Sequence, residues 1–222
     1  WALIIISVII AGILLIVFFD LDLEEYRSFS IIILLLDLIC FFLSMKFIPG
    51  GFNQAKQAIC HMGRLHTKKG DSNKKAMRLF TFFAIFEIIL FFTMAQLIYS
   101  IKIRSNQSIW VVYLVFFMSL TGILTCTVPI DVYYKGHMLS ALSFFITCHV
   151  VIHAVYIFIV NRGGTTPLIN LIWGIFVITA AIYVLGFILR YIYAAFFQKL
   201  WLVSMNVIIF LYILYLAEYF LS

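Results

Sequence analysis

Seven apolar runs, each close to the length that crosses a lipid bilayer, dominate this chain of 222 residues. They lie at 1–19, 30–48, 79–101, 109–130, 138–160, 168–190 and 199–220. A helix of about 20 apolar residues crosses the hydrocarbon core, whereas a β-barrel strand is about half as long and alternates polar with apolar positions. Helices also satisfy their own backbone hydrogen bonds in lipid. The runs therefore predict an all-α, polytopic transmembrane helical bundle of about seven spans.

The composition leaves no room for a soluble domain. Hydrophobic residues make up 65% of the chain and charged residues 11%, whereas about a quarter of a typical soluble domain is charged. The run at 1–19 has no small-residue cleavage pattern, so we expect a retained span. Residues 1–222 are accordingly predicted to form a single transmembrane domain of an integral membrane protein. The composition fits the plasma membrane and an internal membrane equally.

Charge predicts the orientation of the spans. Residues 46–78 carry eight basic residues against the single acid Asp71. The eight are Lys46, Lys56, Arg64, Lys68, Lys69, Lys74, Lys75 and Arg78. The positive-inside rule places such a segment in the cytoplasm, and the acidic residues of 20–29 suit the opposite side. We therefore expect a cytoplasmic basic loop, defined as residues 49–78, and a cytoplasmic N-terminus.

The basic loop predicts contact with lipid headgroups. It accounts for the net charge of +6, which favours anionic headgroups over nucleic acid as the partner. We expect headgroup contacts from Lys56, Arg64, Lys68 and Lys69. Apolar residues also recur at helical spacing, which is typical of an amphipathic helix lying in the membrane interface. They are Phe52, Ala55, Ala58, Ile59, Met62 and Leu65. The alternative is a solvated connector that only fixes topology.

Four acidic or histidine residues lie well inside predicted spans, away from the span ends: Asp37, Glu87, His149 and His153. Each costs about 2.5–3.5 kcal/mol at the bilayer centre unless it has a partner or a function. The helical rise of 1.5 Å per residue places all four within a slab about 10 Å thick. We therefore expect them to form one intramembrane polar cluster, in which the acids hold the imidazoles.

Three interpretations of this cluster stay open. A hydrogen-bonded network can fix helix packing, and an acid–histidine set can carry protons or a polar substrate. The third is a metal site, because His149 and His153 lie four residues apart on one helix. Haem is disfavoured, since bis-histidine ligation needs a second histidine on a facing helix and the intramembrane histidines share one run. No cofactor is expected, and no recognisable nucleophile motif favours an enzyme.

Short motifs in residues 109–222 carry a family resemblance. Around the fourth and fifth runs stand Gly122, then Pro129, Ile130 and Asp131, then His137, Ala141, Phe144 and Phe145. This order resembles the glycine, "FP-T-D", "H-x-x-x-A-x-x-x-F" pattern of a family of small multi-span proteins of unknown function, with Val128 in place of the usual phenylalanine. The family is similar in turn to the FRAG/DRAM/SFK group of lipid-associated membrane proteins. Gln198 to Trp201 resemble that group's polar-plus-tryptophan start of the last span.

The resemblance implies a membrane factor that influences lipid organisation or trafficking, with His137 touching headgroups at the cytoplasmic end of the fifth span. The sequence thus favours a non-enzymatic protein that binds or organises membrane lipids. A proton-coupled transporter or small channel is the alternative, and a membrane metalloenzyme the third reading. A companion membrane subunit or a second copy of the chain would suit the large apolar surface.

Overall fold

The computed structural model describes residues 23–53, 56–105, 110–161, 164–189 and 193–221. In these ranges the chain forms six α-helices: α1 Leu23–Lys46, α2 Lys74–Ser105, α3 Trp110–Thr127, α4 Tyr134–Val160, α5 Pro167–Ile188 and α6 Ala194–Leu221. Five of them, α1, α2, α4, α5 and α6, are long and apolar enough to cross a membrane, and α3 has a shorter apolar stretch, Val112–Cys126. The all-α prediction is confirmed, and the helices fit a polytopic membrane protein.

The predicted first span, 1–19, lies outside the described residues. The total of about seven spans and the cytoplasmic N-terminus therefore stay predictions. The six later runs each correspond to one helix, and most helices extend beyond their apolar run at one end or both. The extensions arise because a helix continues past the hydrocarbon as long as its residues satisfy backbone hydrogen bonds.

Local sequence explains where individual helices begin and end. The side chain of Thr166 accepts a hydrogen bond from the backbone N–H of Ile169, and Pro167 stands at the first helical position of α5. Both features are typical of helix N-termini. After α1, Gly50 and Gly51 adopt positive φ angles of 76° and 82°, which glycine tolerates and which turn the chain away from the helix.

The central helix of the bundle is α2, which packs against α1, α3 and α6. Helix α6 in turn packs against α5, α1 and α2, while α3 pairs with α4. Helix α4 contacts α6 through a few side chains, including the Cys148 Sγ–Met205 Sδ pair at 3.0 Å and the Tyr212 hydroxyl, which donates to the Ile152 carbonyl at 3.3 Å. Helix α6 therefore contacts α1 and α2 on one side and α4 and α5 on the other.

The described residues of the basic loop do not form an amphipathic helix, which is one of the two conformations expected for it. Residues 74–78 belong to α2, and the only helical turn in the described part of 49–73 is a 3₁₀ turn at Ile59–His61. Met62 is fully buried, and its Sδ accepts a hydrogen bond at 3.0 Å from the Ser44 hydroxyl of α1. Ile59 and Met62 of the loop thus pack on the end of the bundle. The side-chain amide of Asn73 donates to the carbonyls of His61, Met62 and Arg64 and holds this part of the loop in a compact turn.

Side chains from α6 and from the α3–α4 turn hold the loop in place. The Gln198 side-chain oxygen accepts from the Ile59 N–H at 3.0 Å, and the Lys199 ammonium donates to the Gln57 carbonyl at 2.6 Å. Asp131 accepts from the backbone N–H groups of Leu65 and His66 at 3.1 and 3.0 Å. The loop is therefore a folded cap on one end of the bundle.

Candidate functional site: a buried group of two carboxyls and an amide

Asp37 and Glu87 lie deep inside the bundle, on helices that face each other. Asp37 belongs to α1 and is 0% exposed, and Glu87 belongs to α2 and is 5% exposed. Ser30 and Ser44 share the inner face of α1 with Asp37, since residues seven apart nearly superimpose around a helix. Both serines are also fully buried. A polar stripe therefore runs down the side of α1 that faces α2 and α6.

Asn206 of α6 connects the two acids. Its Nδ2 atom donates to Asp37 Oδ2 at 3.1 Å and to Glu87 Oε1 at 3.2 Å, and the residue is 2% exposed. A side-chain NH₂ group has two hydrogens, so one asparagine can serve both carboxyls at once. We call Asp37, Glu87 and Asn206 the acid–amide group. It joins three helices through side chains alone.

The electrostatics of this group differ from those of an ordinary salt bridge. In the described part of the chain, the ion pairs involve Arg27 and His66, and neither buried carboxyl has a cationic partner. Two neighbouring carboxylates without a cation are unfavourable in a low-dielectric interior. A proton on one of the two carboxyls would remove the repulsion between them. The Asp37 Oδ1 and Asn206 Oδ1 atoms are buried and have no hydrogen-bond partner.

The structure places the two histidines among aromatic rings. His149 and His153 lie on α4, and the His149 ring packs 4.5 Å from the Phe176 ring and 6.0 Å from the Trp201 ring. His153 Nδ1 donates to the carbonyl of His149 at 2.7 Å. In the described residues, no hydrogen bond or ion pair joins either imidazole to a carboxyl. The acids are thus bonded to Asn206 and the imidazoles lie among rings, and the arrangement of all four in one cluster stays a prediction.

His137 is also placed differently from the expectation. It is 1% exposed, and its Nδ1 atom bonds to the Val128 carbonyl at 2.9 Å, at the end of α3. A buried ring of this kind does not touch headgroups. Its role is to satisfy a carbonyl that the end of the preceding helix leaves without an intrahelical partner.

The four basic residues that are expected to contact headgroups differ in exposure. Lys56, Lys68 and Lys69 are exposed, so they are accessible to headgroups, whereas Arg64 is half-buried. Burial, followed by the charges of Arg64 and Lys68, lowers the pKa of His61 to about 4, so this imidazole is neutral at physiological pH. Whether the lysines bind lipid stays a prediction.

Sequence reasoning missed Asn206. Attention to ionisable residues passed over an asparagine in the middle of an apolar run, although such side chains commonly hydrogen-bond across transmembrane helices. The signal was present, because Asn206 is the one asparagine in the run 199–220. A neutral amide inside an apolar run is therefore a candidate partner for buried acids, and Asn206 fits that description.

Comparisons with family models, with curated proteins and with solved structures give no match. The resemblance drawn from residues 109–222 therefore stays a prediction. Among the described residues, no group of three or more histidine, cysteine, aspartate or glutamate side chains is arranged to hold a metal ion.

Proposed function

We propose that this polytopic membrane protein uses the acid–amide group as an intramembrane proton-binding site and couples proton movement to transport. The observation that carries the proposal is the placement of one amide between two buried carboxyls from different helices. A proton gained or lost there changes the charge of the pair. Such a change alters how strongly Asn206 holds each acid, and so alters the packing of α1 and α2 on α6.

The geometry favours a dynamic role over simple packing. A purely structural contact between helices can be made by neutral serine, threonine or asparagine side chains, which avoid the cost of a buried carboxyl. Here two acids share one donor, and Asp37 Oδ1 has no hydrogen-bond partner. The pair can therefore exchange a proton without breaking every bond to Asn206.

The proposal can be tested in proteoliposomes that contain a pH-sensitive dye. A potassium diffusion potential drives protons inward, and we expect the wild-type protein to acidify the lumen faster than empty vesicles do. Asp37→Asn and Glu87→Gln keep the size and hydrogen bonding of the side chains but remove the titratable groups, so each should reduce the rate to that of empty vesicles. Glu25→Gln, which removes an exposed carboxyl at the start of α1, is the matched control.

A second measurement keeps the test independent of the transported solute. A protonated carboxyl gives a C=O stretching band in the infrared spectrum, and it should shift in D₂O and weaken in Asp37→Asn or Glu87→Gln. Absence of this band at neutral pH, together with no proton flux in the wild type, would show that the acid–amide group only holds the helices together.

Lipid binding is the second candidate function, favoured by the exposed lysines of the basic loop. Lys56, Lys68 and Lys69 stand at the end of the bundle where α1 ends and α2 begins. Each contributes about 1 kcal/mol of attraction to an anionic surface at moderate salt. Replacing Lys68 and Lys69 with glutamine should weaken binding of soluble anionic lipid analogues, and a Lys135→Gln control tests whether any exposed lysine has the same effect.

A further inference from the structure

Helices α4, α5 and α6 enclose a second region of interest, which the acid–amide group does not use. Helix α4 contacts α5 through large side chains rather than through close backbone packing. We call these side chains the aromatic seam. It consists of Phe145, His149 and His153 from α4, Trp173 and Phe176 from α5, and Trp201 from α6.

The rings of the seam present flat faces at stacking distances. The His149 and Trp201 planes are 20° apart, with ring centroids 6.0 Å apart. At the other end, the Tyr156 ring stacks on Trp173 at 4.3 Å with an angle of 7°. Aromatic faces favour stacking with other flat rings, so a ligand ring can stack on a face at the edge of the seam once the side chains there turn.

The seam also holds polar nitrogens that have no partner. His149 Nε2, Trp173 Nε1 and Trp201 Nε1 are buried, and none of them makes a hydrogen bond. The indole nitrogen of tryptophan is a donor only, so two of the three atoms can be satisfied only by an acceptor. Buried polar groups are normally hydrogen-bonded, and three unpartnered nitrogens among one set of rings therefore need an explanation.

One side of the seam is buried and the other is partly exposed. Phe176 and Trp201 are 0% and 5% exposed, so they form its floor, whereas His149, His153 and Trp173 are partly exposed at its rim. The neighbouring residues on the outer faces of α4 and α5, such as Val150 and Leu171, are exposed and apolar. The rim therefore faces the lipid phase, and a ligand would arrive from the membrane.

We infer that the aromatic seam binds a membrane-dissolved flat ring that carries carbonyl oxygens, the chemistry of a quinone. The ring stacks against the imidazole and indole faces, and its carbonyls accept hydrogen bonds from the two indole N–H groups. Neighbouring rings cover these nitrogens in the present structure, so the ligand enters as the rings of α4 and α5 turn toward it. The inference concerns binding only, and it is independent of the acid–amide group.

A photoreactive probe tests the inference directly. The protein in nanodiscs is irradiated with a benzoquinone whose decyl tail carries a diazirine, and labelled peptides are identified by mass spectrometry. We expect saturable labelling within α4 and α5 that unlabelled decylbenzoquinone displaces. A decyl diazirine without the ring should label non-saturably. Saturable labelling by that tail alone, or displacement by palmitate and not by the quinone, would overturn the inference.

Two conservative variants test the hydrogen bonds. Trp173→Phe and Trp201→Phe keep an aromatic ring and remove the N–H, so each should weaken the apparent affinity by up to about tenfold. Tyr113→Phe removes a hydroxyl from an exposed ring of α3, away from the seam, and should leave the affinity unchanged. Wild-type affinity in the double tryptophan variant would contradict the proposed site. The mapping of labelled peptides in the wild type remains decisive if either variant fails to fold.

Discussion

The acid–amide group and the aromatic seam place polar side chains in the same bundle in two opposite ways. In the first, three side chains from α1, α2 and α6 bond to one another and are almost completely buried. In the second, His149 Nε2, Trp173 Nε1 and Trp201 Nε1 lie among rings and have no hydrogen-bond partner. The comparison teaches that depth in the membrane does not by itself decide how a polar group is accommodated.

Helix α6 makes the difference possible, because it takes part in both regions. Trp201 and Asn206 are five residues apart, which places them about 140° apart around the helix and about 7.5 Å apart along it. One face of α6 therefore meets the acids, and another meets the rings of α4 and α5. The two regions are close in space and separated by the body of one helix.

The largest expected effect tests the bonded region. Asn206→Leu leaves two buried carboxyls without their shared donor, and we expect a loss of about 2–5 kcal/mol in the free energy of unfolding. Unfolding in mixed detergent and denaturant measures the loss. Asn170→Leu is the control, since Asn170 is exposed and its side chain accepts a bond from the Tyr156 hydroxyl at 3.0 Å. Equal losses in the two variants would show that the acid–amide group has no special importance for stability.

A somewhat smaller effect is expected at the turn that joins α4 to α5. A Cβ atom on Gly164 would overlap the Tyr215 hydroxyl of α6, whereas a Cβ atom on Gly174 meets nothing within 4 Å. Gly164→Ala should therefore cost about 1–3 kcal/mol through overpacking. Gly174→Ala should be neutral or slightly stabilising, because alanine favours a helix over glycine. Thermal unfolding of the pair checks whether the seam depends on close packing of this turn against α6.

The cap supplies a pH-dependent prediction outside both regions. Partial burial alone would raise the pKa of Asp131, but the N–H groups of Leu65 and His66 and the charge of Arg64 outweigh it and hold the pKa below the ordinary value of 3.8. The contact therefore stabilises the fold fully above that value, and the stabilisation is lost as the pH falls through the lower folded pKa.

Hydrogen exchange of the Leu65 and His66 amides measures this effect. Protection of both amides should fall on acidification in the wild type, by about 1 kcal/mol or less. Asp131→Asn keeps one acceptor oxygen and has no titratable group, so protection should be lower at one of the two amides and should not depend on the titration of residue 131. Protection that is insensitive to pH in the wild type would mean that the loop is held by Gln198 and Lys199 alone.

The smallest effect is expected in the seam. His149→Phe keeps a flat ring between Phe176 and Trp201 and removes a nitrogen that has no partner, so stability should change by less than about 1 kcal/mol or rise. The backbone carbonyl that His153 uses is unaffected. A large loss in His149→Phe, measured beside Asn206→Leu, would erase the distinction between the two regions.

Part of the site could be predicted from the sequence. The helical rise placed Asp37 and Glu87 at similar depths, and the structure brings them to one amide. The same estimate placed His149 and His153 at those depths, but it carries no information on which helices are neighbours. Depth follows from counting residues along one helix, whereas the facing partner depends on how all the helices pack.

The cap shows the same limit at shorter range. Helical spacing of apolar residues in 52–65 made an amphipathic helix one of two expectations, and the described residues of this range contain only the short turn Ile59–His61. The side chains of Asn73 and Asp131 bond to the loop's backbone and fix a different conformation. Both residues lie at least 12 positions after that turn in the sequence. The spacing of apolar residues does not predict such contacts, because they form only when distant segments meet.

The sequence alone determined that this chain is built from apolar helices, since a backbone in lipid has to satisfy its hydrogen bonds within each segment. It also determined which side chains are costly to bury. The tertiary structure decided which groups these side chains contact. The two acids bond to Asn206, and the two histidines pack against aromatic rings. That choice depends on the angular position of each residue around α4 and α6 and on which helices pack beside them, and neither quantity is encoded in one segment read by itself.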